Sequence, residues 1–453
     1  MLPTIEQLAS ALASGKTSSV ELVQAALARA TDPAGEGSRV FTRLTAERAL
    51  ASAHASDQLR AAGLSRSPLD GLPISVKDLF DLAGQATTAG STLLRDAAPA
   101  NSDAIVVARL QAAGAVIVGR TNMTEFAYSG LGLNPHYGTP RNPWDRAIGR
   151  IPGGSSSGAA VSVSDGMAIA AIGSDTGGSV RIPSALCGLT GFKPTARRVP
   201  MDGALPLSTS LDSIGPLAAS VRCCAILDAV LAGQPPELPR PANLADSVFA
   251  IPTDVVLDDL DDKVAEAFDA ACARLSAAGA RIRRIAIPEF NALTDINARG
   301  TFSAAEAWAW HHKHIQRNAA AYDPRVVSRI ALGEKISAAD YIDLIEARRH
   351  WIASVEQRIV EFSALLMPTV PLIAPKIEDL QQDEQAYFRA NGLILRNPTF
   401  INFLDGCALS LPCHAPGDAP VGLMLAAAGG ADRKILALGM AIEETRELVA
   451  THR

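Results

Sequence analysis

The sequence has few of the features that mark metal-binding, secreted or membrane proteins. Its six cysteines, in 453 residues, form no Cys-x-x-Cys pair and no metal-like pairing with histidine, as expected of reduced core thiols in a cytoplasmic protein. No run of 18 apolar residues occurs, so a membrane span is not expected. The N-terminus lacks a basic stretch followed by an unbroken apolar stretch, which argues against a signal peptide. We therefore predict a cytoplasmic protein without a metal site.

Positive charge is not in excess either. The chain has 41 Lys and Arg against 47 Asp and Glu, and its basic pairs, such as Arg197-Arg198, are isolated. Because no basic stripe is present, nucleic acid is not an expected partner. Hydrophobic residues make up 48% of the sequence, which is enough to bury a large core in one α/β unit or in two domains.

Short apolar runs alternate with helical patterns along most of the chain. The predicted strands lie at 72–76, 115–119, 167–173, 248–252, 281–289, 363–369 and 421–427, with a shorter strand-like piece in 187–195. This alternation predicts an α/β fold in which helices cover both faces of a sheet. Four prolines make residues 231–247 the candidate for an internal linker.

One segment, residues 153–183, is unusually rich in glycine and serine. It reads GGSSSGAAVSVSDGMAIAAIGSDTGGSVRIP and contains seven of each. Such tracts are usually flexible linkers, but MAIAAIG within it is an apolar run typical of a core strand. Residues 154–158 match G-x-S-x-G, yet a Pro/Gly loop precedes them where the nucleophile elbow of an α/β-hydrolase needs a strand. Neither glycine-loop motif for phosphate is present, which disfavours a phosphate site.

A third interpretation places a nucleophile after the MAIAAIG strand. Ser179 follows this strand and begins a helix, where the partial positive charge of the helix N-terminus favours a developing anion. Glycine permits unusual backbone dihedrals, so several amides of this turn can converge on one point. Those amides belong to Thr176, Gly177, Gly178 and Ser179. The pattern predicts an oxyanion hole beside a nucleophilic serine.

A serine at its ordinary pKa is a weak nucleophile and needs a neighbouring base. No histidine lies on a comparable strand-end loop, whereas Lys77 follows the predicted strand 72–76 directly. Burial there would lower the pKa of the lysine and leave part of it as a neutral amine. A lone lysine at a strand end is usually a solvated cap, but Ser155 and Ser179 favour the functional interpretation.

Taken together, these segments resemble the amidase signature family of serine hydrolases. The likeness is carried by GLPISVKDLF, AGAVIVGRTNMTEFAYSG, the glycine/serine tract with CGLTGFKPT, PLSTSLDSIGPLAASV, NFLDGCALSLPC and PVGLMLAA, and so covers nearly the whole chain. The resemblance implies a single domain over 1–453 with a large mixed central sheet. It also implies a variable, substrate-side region at 290–400 and no cofactor.

The resemblance further implies an unusual Ser-Ser-Lys triad. Matched residue by residue, Ser179 corresponds to the nucleophile, Ser155 to the bridging serine and Lys77 to the base. It also implies that the Gly154–Ser155 peptide bond is cis. Ser157 stands where the family often has a glycine, beyond the bridging serine, which puts little of this assignment in doubt.

Residues around this triad are weaker candidates. Asp175 and Arg181 flank the nucleophile with opposite charges, and we interpret them as a structural pair that holds the loop. Aromatic residues at helical spacing belong more often to a core than to a pocket. The candidates for the substrate pocket are Met123, Phe126, Tyr128, Ser156, Trp308, Trp310 and His311.

The leading interpretation is a stand-alone amidase that hydrolyses a small carboxamide through a Ser179 acyl-enzyme, and we expect a homodimer. One alternative is the glutaminase component of a tRNA-dependent amidotransferase, although residues 321–344 resemble ordinary amidases and lack that component's Arg-Tyr-Asp-Gly segment. Two further alternatives are a hydrolase of ureido compounds such as carboxybiuret or allophanate, and a catalytically inactive binding protein.

Overall fold

The computed structural model describes residues 2–451, so Met1 and residues 452–453, at the ends of the predicted domain 1–453, lie outside it. The predicted α/β class is confirmed. The strands are β1 (Phe41–Leu44), β2 (Pro73–Lys77), β3 (Val116–Thr121), β4 (Ala170–Asp175), β5 (Thr190–Lys193), β6 (Ser213–Ala218), β7 (Val248–Pro252), β8 (Arg281–Ile285), β9 (Ala364–Pro368), β10 (Cys407–Pro412) and β11 (Gly422–Ala427).

Sixteen α-helices are present among the described residues, together with four short 3-10 segments. The helices are α1 (Ile5–Ala13), α2 (Ser19–Thr31), α3 (Gly37–Val40), α4 (Ala46–Ala61), α5 (Ile105–Ala112), α6 (Ser157–Ser164), α7 (Arg181–Leu186), α8 (Val221–Leu231), α9 (Asp262–Ala277), α10 (Glu289–Ile296), α11 (Phe302–Asn318), α12 (Pro324–Ile330), α13 (Ala338–Ile359), α14 (Ile377–Gln382), α15 (Glu384–Phe403) and α16 (Asp432–Thr451). The 3-10 segments are Glu125–Ala127, Leu244–Asp246, Ala319–Ala321 and Ala331–Lys335.

The eleven strands of the described chain form one mixed sheet in the order β1-β3-β2-β4-β6-β5-β10-β11-β9-β7-β8. Strands β3, β2 and β4 are parallel, as are β9, β7 and β8, while the pairs from β4 through β6, β5, β10 and β11 to β9 are antiparallel. The large mixed sheet implied by the family resemblance is therefore confirmed. Strands on both sides of the predicted linker 231–247 belong to this sheet.

Helices cover both faces of the sheet. Successive residues of a strand point to opposite faces, and on β4 Ala171 packs with the apolar residues of α6 whereas Ile172 packs with those of α8. The central strands are buried along their full length, as expected for strands covered on both sides. Strand β8, at the edge, is largely exposed and carries three arginines, which oppose pairing with another chain.

Three strands were not predicted from the sequence, namely β1, β6 and β10. Strand β6 contains a glycine and a proline in SIGPLA, and both residues are depleted in strands. Strand β1 is a four-residue edge strand, too short to show a pattern. Within the described residues, no helix combines the length and apolarity needed to cross a bilayer.

Candidate active site

Lys77 is the last residue of β2, and its side chain is fully buried. Its Nζ donates hydrogen bonds to Ser155 Oγ over 2.7 Å and to Ser174 Oγ over 2.9 Å. Ser174 lies near the end of β4, which runs parallel to β2, so the two strands end at the same edge of the sheet. The sequence analysis did not single out Ser174; its position one residue before the end of the MAIAAIGSD strand was the available signal.

Burial lowers the pKa of Lys77 to about 7, although the charges of Asp175 and Asp212 act in the opposite direction. An amine with this pKa is about half neutral at pH 7. The predicted neutral fraction of Lys77 is thus present in the physiological range.

Ser155 is fully buried and lies between the Lys77 amine and the start of α6. The Gly154–Ser155 peptide bond is cis, as the family resemblance implied. Gly154 packs against the backbone of Gly132, and a Cβ atom placed on it would lie 2.5 Å from Gly132 N. This close approach admits only glycine before the buried serine.

Ser179 lies at the wall of a cavity of about 190 Å³. Its hydroxyl makes no hydrogen bond to another described residue, Ser155 included, and so remains available to a molecule in the cavity. The Ser155 and Ser179 segments are joined through the backbone, because the Ser156 amide donates to the Ser179 carbonyl over 3.3 Å. The structure thus brings Lys77, Ser155 and Ser179, which are far apart in the sequence, to one place.

Asp175 and Arg181 form the structural pair that the sequence predicted. Both side chains are fully buried, and Arg181 Nη2 donates to Asp175 Oδ1 over 2.8 Å. Burial alone would raise the pKa of Asp175, but the Arg181 charge and its hydrogen bonds hold that pKa well below its usual range. The carboxylate also accepts from the amides of Gly178, over 2.9 Å, and Val180, over 3.1 Å. It therefore fixes the loop on both sides of Ser179.

This contact corrects one of the predicted oxyanion-hole residues. The Gly178 amide donates to Asp175 Oδ1, so it is not free to bind an oxyanion. The amides of Thr176, Gly177 and Ser179 make no hydrogen bond to another described residue. Sequence reasoning could not find this difference, because it depends on the direction in which the Asp175 carboxylate points.

Asp212 is a second buried carboxyl group at the site, and the sequence analysis did not single it out. Thr176 Oγ1 donates to Asp212 Oδ1, while the amides of Leu207 and Ser208 donate to Oδ2 over 2.9 and 3.0 Å. Burial raises the pKa of Asp212 to about 6, against the lowering effect of these hydrogen bonds. Its residue precedes β6, the neighbour of β4 in the sheet, which explains its proximity to the nucleophile loop.

Of the predicted pocket residues that lie between 123 and 156, only Tyr128 lines the cavity. Met123 is fully buried in the main apolar core, which corrects its predicted substrate role. Ser156 is also fully buried, and its hydroxyl donates to the Ser174 carbonyl over 3.4 Å rather than facing the cavity. Phe126 lies in an aromatic cluster, 4.4 Å from the ring of His311.

The tryptophans and histidine of α11 are likewise not part of the cavity wall. Trp310 and His311 pack on Phe126, and Trp308 packs against the apolar core. Burial lowers the pKa of His311 to about 3, so this imidazole is neutral at physiological pH. The general rule that such aromatic residues belong to a core holds here. The α11 residues that do line the cavity are Phe302 and Ser303, at its first turn.

Arg329, on α12, lines the cavity and was not predicted. Its Nη1 donates to the Tyr128 carbonyl over 2.5 Å, and the centre of its guanidinium lies 4.7 Å from the centroid of the Tyr128 ring. Burial raises the pKa of Tyr128 to about 12, although the Arg329 charge opposes this, so the tyrosine is neutral at physiological pH. The remaining wall comes from the segment before β6 and from α15.

Comparison with known proteins identifies the family. The family model described as Amidase matches residues 21–436. The chain belongs to the amidase family. This family member is an amide-hydrolysing enzyme. Among the residues that the structure describes, no group of three or more His, Cys, Asp and Glu side chains could hold a metal ion.

Relatives of this amidase-family enzyme match over most of their length. It is 37% identical over 401 residues to 2-amino-5-chloromuconic acid deaminase of Comamonas testosteroni, covering 87% of this chain and 86% of the relative. It is 34% identical over 480 residues to the GatA-type component of the glutamyl-tRNA(Gln) amidotransferase of Chloroflexus aurantiacus, covering 98% and 96%. A solved amidase crystal structure superposes with a TM-score of 0.86 at 34% identity, covering 98% of this chain and 99% of the other.

Proposed function

We propose that this chain is an amidohydrolase that cleaves a small carboxamide to a carboxylate and ammonia or an amine through an acyl-enzyme on Ser179. The observation that carries this proposal is the hydrogen bond from the buried Lys77 amine to Ser155 Oγ, beside the loop of Ser179. Burial lowers the pKa of Lys77 to about 7, which supports its role as the base.

In the proposed reaction, Ser179 Oγ attacks the carbonyl carbon of the amide. Its proton passes to Ser155 Oγ while the Ser155 proton passes to Lys77 Nζ, which becomes an ammonium group. The proton then returns by the same path to the leaving nitrogen, the C–N bond breaks, and ammonia or an amine departs. Water attacks the acyl-enzyme with the same groups acting as base, which releases the carboxylate and restores Ser179.

The negative charge that develops on the carbonyl oxygen requires hydrogen-bond donors. We assign this role to the amides of Thr176, Gly177 and Ser179, because they are free of other acceptors among the described residues. Donors fixed in place before the reaction can each contribute about 10²–10³ in rate. Asp175 and Arg181 act indirectly, by holding the loop that presents these amides.

The test is a comparison of Ser179→Ala with Ser164→Ala, a half-buried serine of the same tract. Ammonia release is measured over a panel of small amides, and a fluorophosphonate probe reports on the nucleophile. We expect Ser179→Ala to lose about 10⁴-fold or more in kcat and all labelling, with an unchanged circular dichroism spectrum, and Ser164→Ala to keep both. Undiminished labelling of Ser179→Ala would show that another residue is the nucleophile.

The glutaminase component of an amidotransferase is the competing function, since a relative of 34% identity carries such a name. The two functions differ in their dependence on partners. A stand-alone amidase releases ammonia from its substrate as a purified chain, whereas a glutaminase component would need its companion proteins and favour glutamine. The predicted homodimer and cytoplasmic location stay predictions, and light scattering of the purified chain tests the first.

A further inference from the structure

The cavity beside Ser179 contains an uncompensated positive charge. Arg329 is the one charged residue among the described residues that line it; the others are apolar or carry neutral polar groups. Its guanidinium is protonated at any physiological pH. It forms no ion pair with any carboxylate in the part of the chain that the structure describes.

Nearby carboxylates are occupied by other partners. Asp323, at the start of α12, binds Arg325 with Oδ1 and Oδ2, over 3.0 and 2.8 Å. Glu125 is fully buried and accepts from Ser91 Oγ over 2.6 Å and from the Asp323 amide over 2.7 Å. Neither carboxylate is left to neutralise Arg329.

Arg329 is nevertheless held in a defined position. One of its amino groups binds the Tyr128 carbonyl, and its planar group lies over the Tyr128 ring, an arrangement that favours a fixed guanidinium. A half-buried cation in a small cavity is unfavourable until an anion joins it. The guanidinium fork matches a carboxylate in geometry as well as in charge.

We propose that the substrate carries a carboxylate in addition to its scissile amide, and that Arg329 binds this carboxylate. The inference rests on the proposed amidohydrolase function. A cavity of about 190 Å³ is only slightly larger than the roughly 150 Å³ cavities that hold benzene, so the substrate is a small amide acid. Its hydrolysis adds one water, breaks the C–N bond and releases ammonia, so the product is a dicarboxylate.

The kinetic test compares amide acids with their neutral isosteres. Malonamate, succinamate and glutaramate are each paired with the corresponding diamide, and the ratio of kcat/KM is measured for each pair. We expect wild type to prefer the amide acid of the best-fitting length. In Arg329→Gln this ratio should fall by about 10- to 100-fold, as expected for loss of charged hydrogen bonds, with part of it retained in Arg329→Lys. Arg317→Gln, at an exposed arginine of α11, is the control.

A binding measurement separates this proposal from the proposed function. Malonate, succinate and glutarate are titrated calorimetrically into Ser179→Ala with and without Arg329→Gln. Binding that depends on Arg329, in a wild-type chain that hydrolyses no amide, would refute the amidohydrolase proposal and support the anion site. Hydrolysis of diamides in preference to amide acids, or a ratio unaffected by Arg329→Gln, would overturn the anion site and leave the amidohydrolase proposal standing.

Discussion

Thr176 Oγ1 donates a hydrogen bond of 2.5 Å to Asp212 Oδ1. This contact ties the loop of the proposed nucleophile to residues 207–212, the segment that precedes β6. The same carboxyl group faces Lys77 and raises its pKa, in opposition to burial. Asp212 thereby connects the position of the loop with the protonation of the proposed base.

The rate of the enzyme should rise with pH as Lys77 loses its proton. Burial lowers the pKa of Lys77 to about 7, so the inactive ammonium form predominates below this value and the neutral base above it. We expect kcat/KM to increase through about pH 7 and then reach a plateau. Lys77→Ala should lose at least 10²–10⁴-fold, the range of general-base contributions. The control is Lys263→Ala, at an exposed lysine.

Two measurements check this assignment. A pH–rate profile that stays flat through the neutral and mildly alkaline range, with chemistry rate-limiting, would contradict it. So would a Lys77→Ala variant with near-wild-type turnover.

Replacing Asp212 by asparagine should move the acidic limb of the pH–rate profile to lower pH. The asparagine still offers an oxygen to Thr176 but lacks the negative charge that raises the pKa of Lys77. Lys77 then deprotonates at lower pH, and the half-maximal rate follows. The profile is compared with that of Asp202→Asn, at an exposed aspartate. A purely structural role for Asp212 predicts a lower rate with an unmoved midpoint, which would refute the electrostatic coupling.

Glu306 on α11 should stabilise the fold through the segment before β6. Its carboxylate accepts from Ser208 Oγ over 2.6 Å, from Ser210 Oγ over 2.5 Å and from Tyr341 Oη over 2.6 Å. Hydrogen bonds to a charged group contribute about 1.5–3 kcal/mol each before compensation, so Glu306→Ala should lower the free energy of unfolding by about 1–3 kcal/mol. Urea denaturation measures this loss, and Glu356→Ala, exposed on α13, should change it by less than about 0.5 kcal/mol. Equal stability of the two variants would exclude the anchoring role.

Chelation should not change the rate of amide hydrolysis. The proposed reaction uses an amine base and backbone donors, and no cluster of metal-ligating side chains occurs among residues 2–451. Activity is measured after exhaustive dialysis against a chelator, with and without added zinc. Loss of activity that zinc restores would disprove the mechanism.

How far the site could be predicted depended on which contacts lie in local sequence. Lys77, Ser155 and Ser179 follow or begin elements that the apolar pattern reveals, and glycines mark the turns beside two of them. Asp212 and Arg329 carry no such mark, because their proximity to Ser179 arises from the order of β4 and β6 and from the packing of α12. Met123 was wrongly placed because an apolar residue suits a core and a pocket equally well.

The groups proposed for chemistry and those proposed for recognition come from different stretches of the chain. The amine and both serines lie within residues 77–179, whereas Phe302, Arg329 and Phe403 come from helices of the later segment 302–403. Substitutions in the later segment can therefore alter which amide is accepted while the relay keeps its geometry. Such an enzyme can diversify by changing its wall, and descendants that accept other amides would inherit the same reaction.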